Sequence, residues 1–279
     1  MYGLHKQEVA LGRTAGMSRR IGVAALVGAF VPQASGVVFA EHDHGMAMSE
    51  NHHEDSSELS AGVSVETARF TNTFYVGSYQ GIMPSLGWMR GRFGASATIG
   101  LYHLDENGLS TYGLGDAMIA GHATVLAAET LQAGVALHVM APTGSEPDGL
   151  GMGHVMAMPS AWAAWSARPL MIRASAGYGR AVTALGGGHH DHGPLPLVDP
   201  MNLQELTWSA GADLEIGHRV QLGGRALGGI PIGTGRTRMI GGGRVAWGTP
   251  RVSTAFELQL GVAGDPFTIR GVVETALHF

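Results

Sequence analysis

Cysteine is absent from the 279 residues of the chain, which excludes disulfide bonds, thiolate zinc sites and thiol catalysis. Charged residues make up only 14% of the chain, lysine occurs once, at Lys6, and the net charge is −5. The chain therefore lacks the basic surface that nucleic acid requires, and we expect no nucleic-acid partner. The low charge, the 44 glycines and a slightly positive mean hydropathy make the chain too apolar to be disordered and too polar to be a bundle of membrane helices. This intermediate hydrophobicity is typical of a membrane barrel, in which every second residue of a strand faces lipid.

Long hydrophobic runs are also missing, except for one near the N-terminus at residues 21–39, which follows two arginines. A basic start, an apolar stretch and small residues up to Ala40 are typical of a secretory signal peptide. Pro32 interrupts the run, which argues against the alternative, a membrane-anchoring helix of about 20 continuous apolar residues. We therefore predict a signal peptide at 1–40, cleaved after Ala40.

The segment that follows, residues 41–59, is polar and low in complexity, so it cannot build a packed core. Its candidate metal ligands are imidazoles, which suit zinc and copper, and thioethers, which suit copper(I). They are His42, His44, Met46, Met48, His52 and His53. We predict a disordered periplasmic leader that binds copper or zinc. The alternative is a solvated linker that happens to be rich in histidine.

From residue 60 to the end, apolar and polar residues alternate in runs of about 10 residues, the pattern of transmembrane strands. In the last run, Phe267, Ile269 and Val273 fall on one face and Arg270 on the other, and the chain ends on an aromatic residue within this run. A soluble β-sandwich also alternates, but an aromatic end such as Phe279 is common in outer-membrane barrels. We predict a single all-β domain at 60–279, a transmembrane antiparallel up-and-down β-barrel of about twelve strands, with ten or fourteen as alternatives.

The predicted strands are 61–70, 73–86, 91–103, 115–127, 131–141, 154–165, 169–181, 204–217, 219–230, 236–248, 251–262 and 266–279. The predicted long connections are 105–114, 143–153, 184–203 and 231–235, and most of the others are short. Long loops at one end and tight turns at the other are typical of a barrel whose termini are both periplasmic. We therefore expect a bacterial outer-membrane protein, with membrane lipid and the barrel-assembly machinery among its partners.

Charged residues of both signs recur on the predicted inward faces. The charge network that we predict for the lumen consists of Arg173, Glu205, Asp213, Arg225, Arg244, Glu257, Arg270 and Glu274. Arg219 and Arg251 are further inward-facing cations on the same criterion. Because arginine and carboxylate groups form strong bidentate pairs, a small barrel filled in this way has a narrow or blocked passage.

Three short stretches together resemble one known family. They are Gly113-Leu114-Gly115-Asp116, Pro142-Thr143-Gly144 and Gly151-Met152-Gly153-His154. Their order and spacing are similar to those of the outer-membrane β-barrel family named for the MetA pathway of phenol degradation, whose members are often called transporters. The resemblance covers roughly residues 60–279 and implies a barrel that passes small, often hydrophobic compounds. It implies no catalytic residues, and the glycines are interpreted as turn chemistry.

A second group of candidate metal ligands lies in the predicted strands. Met152, His154, Met156 and Met158 share one strand face, and a tight turn near Thr130 would put His122 directly opposite His138. With His154 approaching from the next strand, three imidazoles and a thioether would form a copper or zinc site. The alternative is that each histidine is a separate hydrogen-bonded residue of the lumen.

The glycine-rich loop after the seventh strand offers further candidate ligands, His189, His190 and His192. It is either a metal-capturing loop or a flexible surface loop without a ligand. No phosphate-binding loop, G-x-S-x-G or H-E-x-x-H motif is present, so we expect no enzyme and no catalytic residue. The enzymatic alternative, an outer-membrane hydrolase, needs a serine beside a lipid-facing histidine, and only His103 faces outward.

The sequence thus favours a barrel that handles a small solute, with binding or transport of a transition-metal ion as the first hypothesis. A channel for small hydrophobic compounds is the second, and a purely structural barrel is the third. No cofactor is required, and copper or zinc are the ions that fit the candidate ligands.

Overall fold

The computed structural model describes residues 57–71, 76–184, 198, 201–264 and 267–279, together with two short strands at 27–28 and 43–44. Among the described residues, no helix has the length and apolar character needed to cross a membrane. Most of the predicted signal peptide and leader falls outside the described residues. The exceptions are Val27–Gly28 (β1), which pairs with Asp43–His44 (β2) in an antiparallel bridge, and residues 57–59 of the predicted leader, which belong to the first strand of the barrel.

The remaining strands form one antiparallel sheet. They are β3 (Ser57–Thr71), β4 (Val76–Arg90), β5 (Phe93–Thr98), β6 (Leu101–Glu106), β7 (Leu109–Leu114), β8 (Ala117–Ala127), β9 (Leu131–Ala141), β10 (His154–Ala167), β11 (Leu170–Ala184), β12 (Gln204–Ile216), β13 (Val220–Pro231), β14 (Arg238–Gly248), β15 (Val252–Ala263) and β16 (Ile269–His278). This all-β architecture confirms the predicted fold class.

The sheet closes on itself because β3 pairs with β16 on one side and with β4 on the other. The ring runs β3, β4, β5, β8, β9 and on through β16, so it contains twelve strands. β6 and β7 extend β5 and β8 beyond breaks at residues 99–100 and 115–116. The predicted twelve-stranded barrel is therefore confirmed.

One predicted long loop, residues 105–114, is wrong. The chain there is the tip of a long hairpin in which β6 pairs with β7 around a two-residue turn at Asn107-Gly108. Both turn residues have positive φ, 50° and 86°, the conformation that Asn-Gly supplies in tight hairpins. The Asn-Gly dipeptide between two runs of alternating apolar and polar residues was the sequence signal that could have predicted this hairpin.

The two ends of the barrel differ. The strand ends that flank the connections 142–153, 185–203, 232–237 and 264–268 lie at one end of the barrel, which we call the loop end. The tight turns such as 91–92 and 168–169 lie at the opposite end, the turn end. Both β3 and β16 have their outer termini at the turn end, since Ser60 pairs with His278. This asymmetry is that of outer-membrane barrels.

Side chains alternate between a buried interior and an exposed, apolar exterior. Leu86, Ile119 and Val182 are 67%, 63% and 61% exposed, as expected for residues that face lipid. Phe267 departs from its predicted outward face: it is buried just before β16 begins, and its ring lies 4.5 Å from the Arg270 guanidinium. The alternation does not extend to Phe267 because strand pairing begins only at Ile269.

Candidate functional site: the two walls of the lumen

The interior of the barrel is packed rather than hollow toward the loop end. A cluster of buried apolar side chains fills this half, and two loop segments contribute Leu150, Val198 and Met201 to it. The cluster also contains Ala68, Phe70, Tyr79, Met83, Tyr102, Leu104, Met118, Ala120, Met140, Met152, Met156, Met158, Leu227, Ile240 and Phe267. Seven of its members are methionines, whose flexible thioether side chains fill irregular spaces.

One side of the lumen, which we call the Met wall, consists of the inward faces of β4, β5, β8, β9 and β10. These strands are described throughout, and their inward faces carry no Arg, Lys, Asp or Glu. Direct cross-strand pairing places Met140 between Met118 and Met156, and in the next row it places His138 beside Met158. The Met wall therefore presents no arginine, lysine or carboxylate to the lumen, and its row of methionines lies beside His138.

The opposite side, which we call the ion-pair wall, consists of the inward faces of β11 to β16 and β3. Each of these seven strands contributes at least one charged side chain that is buried or half-buried. Arg173 forms an ion pair with Asp213, and Arg225 donates two hydrogen bonds to the Glu257 carboxylate. Arg238 Nη2 lies 2.6 Å from Glu205 Oε1. Arg244 and Glu274 are buried on the same wall.

A hydrogen-bonded chain links several strands of the ion-pair wall around Arg270. Its Nε donates to Gln259 Oε1 at 2.7 Å, and its Nη1 lies 3.7 Å from Glu66 Oε2. Gln259 in turn donates to Glu257 Oε1 at 2.6 Å. Arg270 Nη1 also donates to the Tyr79 hydroxyl at 3.3 Å, so the network reaches the edge of the Met wall.

The three motifs that carry the family resemblance meet in one structure, which we call the latch. Asp116 lies at its centre, and its two carboxylate oxygens accept the backbone N–H of Gly144 at 2.9 Å and of Met152 at 2.8 Å. The Thr143 hydroxyl donates to the carbonyl of Gly115 and accepts the N–H of Ala117. The latch thus ties the loop 142–153 to the break between β7 and β8.

Close backbone approach explains a glycine of the latch. A Cβ on Gly151 would stand 2.5 Å from Asp116 Oδ1, a distance that a real side chain cannot adopt. Asp116 lies outside the membrane-spanning strands and is 3% exposed. Its burial raises the pKa of its carboxyl above the usual value, while the backbone N–H bonds oppose that rise.

The latch places an apolar plug in the loop end of the lumen. Leu150 is 1% exposed within the apolar cluster, and Val198 donates its N–H to the carbonyl of Gly149 at 3.2 Å. The loop before β12 thereby joins the loop 142–153 over the lumen. At the turn end, by contrast, a pocket of about 60 Å³ is lined by Arg244, Glu274 and Glu215, among others.

The predicted imidazole site is not assembled in the barrel strands. His122 pairs with Ala136, and His138 pairs with Ala120, so the predicted direct opposition of His122 and His138 is wrong. The turn is centred between Glu129 and Thr130 rather than on Thr130, which moves the pairing by one residue. An extra residue at a bulge after Thr124 moves it by one more. His154 lies four residues along β10 from Met158, the partner of His138, which is about 14 Å at strand rise.

Within the described part of the chain, no group of three His, Asp or Glu side chains is positioned to hold a metal ion. The predicted ligands His42, Met46, Met48, His52, His53, His189, His190 and His192 lie outside the described residues. For His44, only the strand bridge of its backbone is described. Metal binding by the leader and by the loop therefore stays a prediction.

All eight residues of the predicted charge network are on the ion-pair wall, and seven are buried, whereas Arg225 is half-buried. Two further predicted inward cations, Arg219 and Arg251, are exposed near the turn end, where the wall stops and water reaches the side chains.

Sequence reasoning missed several members of the interior. Glu66 is 1% exposed in β3, and its place opposite Val63 and Val65 in the alternation was a signal that could have found it. Leu150 and Met201 had no such signal, because loop residues carry no periodicity that indicates burial.

The lipid-facing His103 does not form the arrangement that a hydrolase needs. It contacts Gln80 Oε1 at 2.7 Å and Asp105 at 3.5 Å, and its ring stacks on Tyr112 at 4.2 Å. Ser110 is nearby, but it donates its hydroxyl proton to Asp105 rather than to the histidine. Asp105 therefore stands between the serine and the histidine, so the base has no direct hold on a nucleophile.

No model of a known protein family matches the chain, and no curated protein sequence does either; membership of the phenol-degradation family stays a prediction. Several solved structures are similar in fold. An outer membrane channel from Pseudomonas putida F1 superimposes with a TM-score of 0.60 and 9% identity, over 82% of this chain and 99% of that one. The NanC porin gives 0.51 and 9% identity, over 77% and 98%. The KdgM porin in complex with disordered oligogalacturonate gives 0.50 and 8% identity, over 79% and 99%. The chain therefore has the fold of outer-membrane barrels that are channels and porins.

Proposed function

We propose that this protein is a channel of the bacterial outer membrane for small, largely apolar solutes. Its exterior is an apolar belt, its loops and turns are segregated to opposite ends, and its fold is shared with outer-membrane channels. These features support a membrane location, which a signal peptide and the barrel-assembly machinery would provide.

The observation that carries the choice of solute is the Met wall. Five neighbouring strands present no charge to the lumen, so an apolar solute moving along them displaces no ion and leaves no charge unpaired. Met118, Met140 and Met156 lie side by side across three of these strands. Because methionine is unbranched and has three rotatable bonds, such a row can repack around solutes of different shape.

The ion-pair wall argues against acidic saccharides as the solute. The KdgM porin is described with bound oligogalacturonate, a polyanion that requires available cations. Here Arg173, Arg225 and Arg238 are each paired with a carboxylate of the same wall. Their charge is therefore neutralised within the protein before any solute arrives.

Passage requires the plug at the loop end to move. Leu150 seals the apolar cluster and is held there by the latch. A solute entering from this end would displace Leu150 and slide onto the Met wall, whereas the strands beneath would stay in place.

The test is uptake of the apolar dye N-phenyl-1-naphthylamine by intact cells. The lipopolysaccharide leaflet excludes this dye, and the dye fluoresces once it has entered the apolar interior of a cell membrane. Cells that express the full chain are expected to take up the dye faster than cells with an empty vector. Leu150→Ala should increase the rate further, because it removes the plug. Leu222→Ala is the matched control, since Leu222 is 49% exposed on the lipid face, and it should behave like the wild type.

Heat-modified migration in gels checks that each variant forms a barrel. If neither the wild type nor Leu150→Ala admits the dye, and planar-bilayer recordings find no ion conductance, the protein is a structural barrel and the proposal is wrong. A conductance without dye uptake would also contradict it, because the path would then follow the ion-pair wall.

A further inference from the structure

Three methionine side chains converge on one point of the lumen, over Gly179 of β11. The position that a Cβ of Gly179 would occupy lies 3.3 Å from Met201 Cε, 3.5 Å from Met156 Cε and 3.5 Å from Met158 Cγ. Because glycine has no side chain, Gly179 itself places no atom at this position.

The fold brings these residues together from two separate parts of the chain. Met156 and Met158 are two residues apart on β10, so both face inward, and Met201 arrives from the loop before β12. They are 0%, 4% and 1% exposed, respectively. The cluster is therefore shielded from water, and Met201 belongs to no pattern from which the sequence would have predicted it.

An imidazole lies directly across the strands from one of these methionines. His138 pairs directly with Met158 across the strands, and Met140 pairs directly with Met156. Such cross-strand neighbours have Cβ atoms about 5 Å apart. His138 is itself 1% exposed, so the patch combines thioethers with a buried nitrogen ligand.

We propose that Met156, Met158 and Met201, with His138 beside them, bind a soft monovalent metal ion, Cu⁺ or Ag⁺. Thioether sulfur is a soft and uncharged ligand that selects copper(I), whereas zinc and harder ions prefer imidazole, carboxylate or thiolate. No Asp or Glu lies on the inward faces of β8, β9 and β10, which are described in full. The buried Glu205, which pairs with Gly179 across β11 and β12, is already bound to Arg238, so these strands offer no uncommitted carboxylate to a doubly charged ion. This site differs from the predicted site of three imidazoles, and it does not depend on the passage of apolar solutes.

The first measurement uses the full chain, refolded in detergent micelles, with ¹³C-labelled methionine methyl groups. Ag⁺ is the probe because it is soft and stable in air. Single Met→Leu variants assign the methyl resonances. We expect the resonances of Met156, Met158 and Met201 to shift as Ag⁺ is added. The shifts should be complete when about one equivalent of Ag⁺ is bound in addition to the Ag⁺ that the leader binds. If only the resonances of Met46 and Met48 move, the proposal is overturned.

The second measurement is competition for Ag⁺ between the protein and a chelator. The variant Met156→Leu/Met158→Leu/Met201→Leu keeps side-chain volume and removes the sulfur atoms. It should lose one bound Ag⁺ or at least tenfold in affinity for it. The matched control, Met89→Leu/Met171→Leu/Met239→Leu, makes three equal changes outside the patch and should bind as the wild type does. Equal loss in both variants, or loss in neither, would overturn the proposal, and the methyl shifts of the wild type decide the matter if the first variant does not fold.

Discussion

The two walls of the lumen close the same space by different means. The Met wall uses uncharged side chains whose contacts are dispersive and adaptable. The ion-pair wall uses arginine and carboxylate groups that are fixed in direction by hydrogen bonds. Both walls are buried to a similar degree, with Met156 at 0% and Arg270 at 1% exposure.

The difference teaches which wall can move. A methionine that changes rotamer loses a few weak contacts and leaves no polar group unpaired. An arginine that leaves its carboxylate leaves a buried charge without a partner, which is strongly unfavourable. The ion-pair wall is therefore expected to be the rigid half of the barrel, and the function that we propose uses the Met wall, with the plug above it, as the half along which a solute passes.

The largest expected effect is the loss of a buried charge from the ion-pair wall. Arg270→Met removes the cation beside Glu66 and the donor to Gln259. Because Glu66 then stays buried without its charge partner, the free energy of unfolding should fall by about 3–5 kcal/mol. Urea unfolding in lipid vesicles measures this. Arg251→Met is the control, since Arg251 is exposed; an equal loss there would mean that the pairing has no special part in stability.

A smaller effect is expected on the Met wall. Met140 is 0% exposed, and Met140→Ala should lower the free energy of unfolding by about 2–5 kcal/mol, because it leaves a cavity. Met140→Leu keeps the volume and should cost less than about 1.5 kcal/mol. The same unfolding assay compares the two. If Leu were as harmful as Ala, the wall would depend on sulfur or on exact shape, and its proposed adaptability would be wrong.

The smallest effect concerns a neutral hydrogen bond within the ion-pair wall. Ser175 Oγ and Ser209 Oγ lie 2.8 Å apart. Ser175→Ala alone should cost about 1 kcal/mol, because one buried hydroxyl loses its partner, whereas changing both serines to alanine should be nearly neutral. A double-mutant cycle measures the coupling. A double variant that loses as much as Arg270→Met would show that charge is not what distinguishes this wall.

The predicted architecture agrees with the structure because it depends on local periodicity. An antiparallel strand turns alternate residues to opposite faces, so the runs of alternation located all twelve strands and the side of the sheet on which Arg173, Glu205 and Arg270 stand. The hairpin at Asn107-Gly108 has a local turn signal, but the prediction of a long loop at 105–114 did not use it.

Contacts between distant parts of the chain were beyond the sequence. The position of His122 relative to His138 depends on a turn centre and on a bulge, and an error of one residue moves a side chain to the other face. The partner of Arg270, Glu66, is set by barrel closure between β16 and β3. The three latch motifs were interpreted as separate turns, because nothing in their spacing states that they meet at Asp116.

By itself, then, the sequence determined the strands, their faces and the contrast between charged and uncharged inward residues, because a side chain's face follows from its neighbours along the chain. Only the tertiary structure decided that the charges pair within one wall, that Leu150 and Met201 enter the lumen, and that three methionine side chains converge over Gly179. These outcomes depend on strand register and loop paths, which are set by packing across the whole barrel.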